Sequence, residues 1–126
     1  MFSLGERSLT NLQGVHPDLV KLVQESIKDS PYDFAVIEGV RTKQRQQELY
    51  NAGKSQTLMS RHLTGKAIDL MLYVNGAASW ENKYYQELAK HVKSTAQVLG
   101  IKIIWGGDWR SLVDAVHFEL DKAYYP

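Results

Sequence analysis

Cysteine is absent from the 126-residue chain. Disulfide frameworks, thiolate metal sites and a cysteine nucleophile are excluded with it. A surplus of one charge is also lacking: 15 Lys and Arg stand against 14 Asp and Glu, for a net charge of +1. That balance argues against a broad electrostatic grip on nucleic acid or on an anionic membrane. Long apolar runs are missing too. No segment approaches the roughly 20 apolar residues of a membrane span. The N-terminal stretch MFSLGERSLTNLQGVHPDLV lacks the apolar core, about 7–15 residues long, of a secretory signal. The expectation is a chain made in the cytoplasm, with no membrane insertion and no nucleic-acid partner. Histidine is scarce, with four in all, so a metal site would have to combine imidazoles with carboxylates.

What is present is globular. Hydrophobic residues make up 44% of the chain and charged residues 23%, enough to build a core and too little chain for a second one. The sequence predicts one domain over residues 1–126.

Pro17 suits the first turn of a helix, where its missing N–H would have had no helical partner, and Asp18 adds favourable charge there. Leu19, Val20, Leu22, Val23 and Ile27 follow at helical spacing, and Ser30-Pro31 ends the run. Residues 34–37 (FAVI) read as a strand closed by Gly39. Thr42 can cap a second helix running through Gln46, Leu49 and Tyr50 to Gly53. Residues 53–64 read as loop and 67–74 as a strand, with Asn75-Gly76 a hairpin signal. The longest helical pattern covers 80–99 and closes at Gly100. Strands are predicted at 101–105 and 116–120, with Gly106-Gly107 a tight turn between them. Helices segregated from short antiparallel strands define an α+β domain, a small antiparallel sheet with flanking helices.

Three segments place polar groups where a plain core has no use for them. In SRHLTGKAID (60–69), His62 sits among small and polar residues, and Asp69 falls inside the apolar run AIDLML. A carboxylate there is costly unless it is paired or bound to metal. In DAVHFEL (114–120), Asp114 lies three residues ahead of His117 on a short strand, and Glu119 alternates onto the same face as His117. In GVRT (39–42), Arg41 leaves a strand end and enters a helix. Taken singly, each has a plain structural explanation: a hydrogen-bonded core histidine, an ion pair, a loop cap.

Together they resemble a known family. S-x-H-x-x-G-x-A-x-D, carried by Ser60, His62, Gly65, Ala67 and Asp69, followed by D-x-x-H at Asp114 and His117, is similar to the zinc peptidases of the D-alanyl-D-alanine carboxypeptidase superfamily. Within it the chain looks most like the L-alanyl-D-glutamate endopeptidases found as phage endolysins. Arg41, Thr42, Gln46, Leu49, Tyr50 and Gly53 fit the upstream motif of these enzymes, and W-G-x-D-W appears at residues 105–109. Val40 departs from it, where an aromatic often precedes the arginine. The resemblance implies a hedgehog/D-Ala-D-Ala carboxypeptidase-like fold and a Zn2+ cofactor held by His62, Asp69 and His117, with the fourth position left to water. It further implies Asp114 as general base and Arg41 as the cation steadying the oxyanion or a substrate carboxylate. Ser60 is expected to contact substrate or back a ligand, and Gln46 to bind substrate or hold the arginine. Gly65 and Ala67 are expected to allow close backbone approach beside the metal.

The implied partner is the stem peptide of peptidoglycan, cut at the L-Ala–D-Glu bond by a monomer. Such an enzyme waits in the host cytoplasm until a membrane pore admits it to the periplasm and cell wall. The alternatives are a D-Ala–D-Ala carboxypeptidase or dipeptidase, which uses the same catalytic set, and a non-catalytic peptidoglycan-binding module. His16 is expected to mark a helix start and His91 to lie on a solvated helix face. Trp105 and Trp109 are expected to pack in the core, with lining of the substrate groove as the other reading.

Overall fold

The computed structural model describes residues 2–55, 57–111 and 113–126. Among the described residues, four α-helices flank a five-stranded antiparallel sheet. The helices are α1 (Glu6–Asn11), α2 (Pro17–Lys28), α3 (Lys43–Asn51) and α4 (Asn82–Leu99). The strands are β1 (Asp33–Glu38), β2 (Ala67–Val74), β3 (Ala77–Ser79), β4 (Ile103–Trp105) and β5 (His117–Leu120). Strand order is β1-β2-β5-β4, with β3 paired to the far end of β2. The α+β expectation holds, and no described helix is long and apolar enough to cross a membrane.

Alternation along β2 separates two faces of the sheet. Ile68, Leu70 and Leu72 point one way and are fully buried with Phe118 and Leu120 of β5. Against them pack Leu19, Leu22, Val23 and Ile27 of α2 and Leu88, Ala89 and Val92 of α4. Both helices carry the apolar stripe that their spacing announced. The buried Tyr85 hydroxyl accepts the Leu72 N–H at 3.2 Å, so the polar end of the ring does not go unpaired in the core. Ala67 and Asp69 point to the opposite face, as do His117 and Glu119 of β5. That face carries the chemistry.

Local signals explain most boundaries. Thr42 caps α3 by accepting the Arg45 N–H at 3.0 Å, and His16 caps α2 by accepting the Asp18 N–H at 3.1 Å. Asn75 and Gly76 both have positive φ, 52° and 82°, as the two-residue hairpin from β2 to β3 requires. Gly100 closes α4 in the left-handed region. Three elements depart from the sequence reading. The predicted loop 53–64 ends in a 3-10 turn, Arg61–Thr64. The strand predicted at 101–105 begins only at Ile103. Helix α1 carried no apolar period because its work is polar. Ser8 Oγ accepts the Val36 N–H at 2.9 Å and Asn11 Nδ2 donates to the Val36 carbonyl at 2.8 Å, satisfying the outer edge of β1 where its register shifts.

His91 also differs from expectation. Its imidazole does not face solvent freely. Nε2 lies 2.8 Å from the Ser26 carbonyl and 3.3 Å from the Asp29 carboxylate, joining α4 to the end of α2.

Candidate metal centre and groove

The cluster begins with strand register. Antiparallel pairing sets Asp69 of β2 directly opposite His117 of β5 and, on its other side, opposite Glu38 of β1. Three chemistry-bearing residues therefore lie in one row across three strands. His62 is brought to this row by the 3-10 turn, whose N-terminus Ser60 caps by accepting the His62 N–H at 3.2 Å. Asp69 Oδ1 then lies 3.3 Å from both His62 Nε2 and His117 Nδ1. One donor atom from each of the three residues falls within 4.8 Å of the others, and all three are buried.

The outward ring nitrogens are both occupied. His62 Nδ1 is 2.9 Å from the Gly39 carbonyl, and His117 Nε2 is 2.8 Å from Glu119 Oε1. A carbonyl and a carboxylate can only accept, so each of these nitrogens carries the proton. His62 Nε2 and His117 Nδ1 are thereby left facing Asp69, where a neutral ring presents a lone pair and a protonated ring presents an N–H that the carboxylate can accept. This is the backing that metal-binding histidines ordinarily have. Two imidazole nitrogens and one carboxylate oxygen, buried, convergent and backed, fit a catalytic zinc ion with an open fourth position.

Charge in the cluster is coupled. Burial works to raise the Asp69 pKa, but hydrogen bonds from His117 and His62 outweigh it and hold the carboxyl well below its usual range. For His117 burial works downward, yet the hydrogen bonds to Asp69 and Glu119 push it up to about 9. Linkage then fixes how the metal-free protein responds to pH. The His117 contribution is complete below its ordinary value of 6.5 and is lost as pH rises through about 9. The Asp69 contribution is present above its ordinary 3.8 and is lost on acidification. Metal-free protein is expected to be most stable between these limits and to lose about 3 kcal/mol from pH 6 to pH 10. Urea unfolding across that range in the presence of a chelator measures it. A stability that rises steadily with pH would contradict the coupling.

The cluster forms the floor of an open groove of about 960 Å³. Asp114 lines it, half-buried on the segment leading into β5. Burial, and then the nearby Asp69 charge, push its carboxyl pKa up, the direction that suits a group exchanging protons near neutrality. Gly106 makes this placement possible. A Cβ there would lie 2.3 Å from the Asp114 carbonyl and 3.0 Å from His117 Cβ, so the chain bearing both residues can run against it only because it is glycine. The close approach expected at Gly65 lies elsewhere: its neighbour is the Gly14 carbonyl, at 2.6 Å from a Cβ built there, beside the start of α2.

Arg41 reaches the groove from the β1–α3 connection. Its Nε pairs with Glu38 at 2.5 Å, Nη1 donates to Gln46 Oε1 at 2.8 Å, and Nη2 stands 4.0 Å from Asp69 Oδ2. Gln46 is 1% exposed. Its amide nitrogen lies 2.9 Å from Ser55 Oγ and 2.5 Å from the Thr57 carbonyl. The side chain thus ties Arg41 to Ser55 and Thr57. The two tryptophans divide. Trp105 is buried, stacks on Phe118 and donates its Nε1–H to the Ala115 carbonyl at 2.7 Å. Trp109 is half-exposed on the groove wall, its ring centred 5.1 Å from that of His117, so core packing describes only the first. Glu38, which holds Arg41, carried no signal of its own in the sequence.

A small α+β fold with a two-histidine, one-carboxylate cluster at the floor of a peptide-sized groove is the architecture of a peptidase. A family model described as "Phage L-alanyl-D-glutamate peptidase" matches residues 1–125. The chain is 32% identical to an L-alanyl-D-glutamate peptidase of Escherichia phage T5, over 98% of this chain and 93% of that one. It is 31% identical to an L-alanyl-D-glutamate peptidase of Listeria phage A118, over 94% of this chain but 42% of that longer protein. Among solved structures, the Serratia marcescens L-Ala D-Glu endopeptidase ChiX superposes with a TM-score of 0.91 at 46% identity, covering 96% of this chain and 91% of that one. The Streptococcus pneumonia L,D-carboxypeptidase DacB shares the fold, with a TM-score of 0.52 at 19% identity over 86% of this chain and 67% of its own. The chain belongs to the phage L-alanyl-D-glutamate peptidase family.

Proposed function

We propose that this chain is a zinc-dependent endopeptidase that hydrolyses the L-Ala–D-Glu bond of peptidoglycan stem peptides, acting on the cell wall as a phage-type endolysin. The observation that carries the reading is the convergence of His62 Nε2, Asp69 Oδ1 and His117 Nδ1 at the floor of a groove that also exposes Asp114. Zinc held by these three residues would supply Lewis acidity and lower the pKa of water at its open position toward about 7. The chain's own groups do the rest. An Asp114 oxygen takes the proton from the attacking water and delivers it to the leaving amine nitrogen of D-Glu as the C–N bond breaks. Arg41, fixed by Glu38 and Gln46, presents its remaining N–H donors to the negative charge that develops on the peptide carbonyl oxygen. Ser60 sets the turn that carries His62, and Trp109 offers a flat apolar wall to the peptide. Residues 1–126 act as one catalytic domain and as a monomer.

The test is a muropeptide digest analysed by mass spectrometry, with and without chelator. New N-terminal D-Glu that disappears on chelation and returns with zinc supports the proposal. Release of single D-Ala instead makes the protein a carboxypeptidase, and wall binding without any cleavage makes it a binding module. Gly106→Ala probes the site without replacing a ligand, its new Cβ pressing hardest on the Asp114 carbonyl at 2.3 Å and less on His117 Cβ at 3.0 Å. The added methyl displaces the Asp114 carbonyl, and a shift of about 1 Å in a catalytic group costs on the order of 10²-fold in kcat. Steady-state kinetics should show that loss with zinc still bound.

A further inference from the structure

Beside His62 on the 3-10 turn stands Arg61, a residue outside every motif noted above. Its side chain crosses from the turn to β5. Nη2 donates to the Leu120 carbonyl at 3.0 Å and to the Tyr125 carbonyl at 2.8 Å. Its Nε lies 3.8 Å from Glu119 Oε2 and, though buried, makes no hydrogen bond. Side-chain exposure is only 13% for Arg61 and 9% for Glu119. A buried carboxylate and a buried guanidinium are each costly alone, and here each is the other's neighbour.

The two oxygens of Glu119 therefore face different partners. Oε1 takes the His117 Nε2–H and Oε2 faces Arg61. With Arg61 in place the carboxylate is held from both sides, and so is the ring that it backs. The same guanidinium grips the backbone of β5 three residues beyond His117, from a position one residue before His62. A single side chain thus spans both segments that carry imidazoles, and the Tyr125 carbonyl steadies it from the C-terminal stretch. Tyr125 is in turn anchored by its hydroxyl, which donates to Asp18 at 2.5 Å.

We infer that Arg61 is a positioning residue for the metal centre, acting through Glu119 to fix the His117 ring with Nδ1 toward Asp69. This inference rests on the zinc reading above for its affinity readout, and it has a second readout that needs no metal. A planar fork is required, because one edge must serve two carbonyls while Nε faces a carboxylate. The single ammonium of a lysine cannot do both.

The experiment compares wild type, Arg61→Met, which keeps the apolar stem, and Arg61→Lys, which also keeps the charge. In metal-free wild type the His117 Nε2–H proton, hydrogen-bonded to Glu119, should give a slowly exchanging NMR signal. That signal should be lost to water exchange in Arg61→Met. Zinc affinity, measured by chelator competition, should fall about 10–100-fold in Arg61→Met and less in Arg61→Lys. If Arg61→Met does not fold, Arg61→Lys decides with the same two measurements. An unchanged His117 signal, or unchanged zinc affinity with only KM raised, overturns the inference, the latter by making Arg61 a substrate contact. If wild type binds no zinc the zinc reading falls by itself, and the metal-free signal still decides the role of Arg61.

Discussion

Asp114→Asn is expected to bind zinc as tightly as wild type and to lose about 10²–10⁴-fold in kcat, the range that general acid–base groups contribute. Asparagine preserves the size of the side chain, and the backbone contacts of this position remain, among them the Asp114 carbonyl accepting the His117 N–H at 3.2 Å. What it removes is the ability to accept a proton. In the metal-free protein, burial and then the Asp69 charge raise the Asp114 pKa, and the limb of the wild-type pH–rate profile that reports this carboxyl should vanish in the variant. Chelator competition and steady-state kinetics on the same preparation separate the two quantities. Full turnover in Asp114→Asn would remove Asp114 from the mechanism and leave the metal cluster without a base.

His62→Ala produces the opposite pattern, with loss of metal and activity together. Binding energies of about 10–16 kcal/mol for zinc sites, spread over four positions, give about 3 kcal/mol per ligand, or about 10²-fold in affinity. The truncation also orphans the Gly39 carbonyl and one side of the Asp69 carboxylate, both buried against the ring. Excess zinc should restore part of the activity, which it cannot do for Asp114→Asn. A His62→Ala protein that keeps wild-type zinc affinity would remove His62 from the ligand set. The two variants together distinguish a residue that holds the metal from one that moves the proton.

The legibility of this molecule in its sequence follows the physical signal each residue gives. Asp69 stood out because a carboxylate interrupts an apolar strand, and register then explains it: the apolar neighbours face the core while Asp69 faces His117. Helices α2 and α4 were legible because burial imposes a 3.6-residue period on them. Helix α1 was not, since its useful atoms are the Ser8 hydroxyl and the Asn11 amide, which answer one residue of β1 and impose no period. Gln46 and Glu38 illustrate the same limit within the site. Both act by holding Arg41, and which acceptor a guanidinium meets is decided by tertiary approach. Trp105 and Trp109 are chemically identical and four residues apart, so only the packed structure could send one to the core and the other to the groove wall.

The row Glu38–Asp69–His117 also bears on how the chain finds its register. A slip of one residue in β2 would turn Asp69 into the apolar interior and Leu70 out into the groove. The same slip would part the carboxylate from both imidazoles. Wrong pairings are thus rejected twice, once by the oil-like interior and once by the polar face. The residues expected to perform hydrolysis double as a proofreading device for assembly of the sheet.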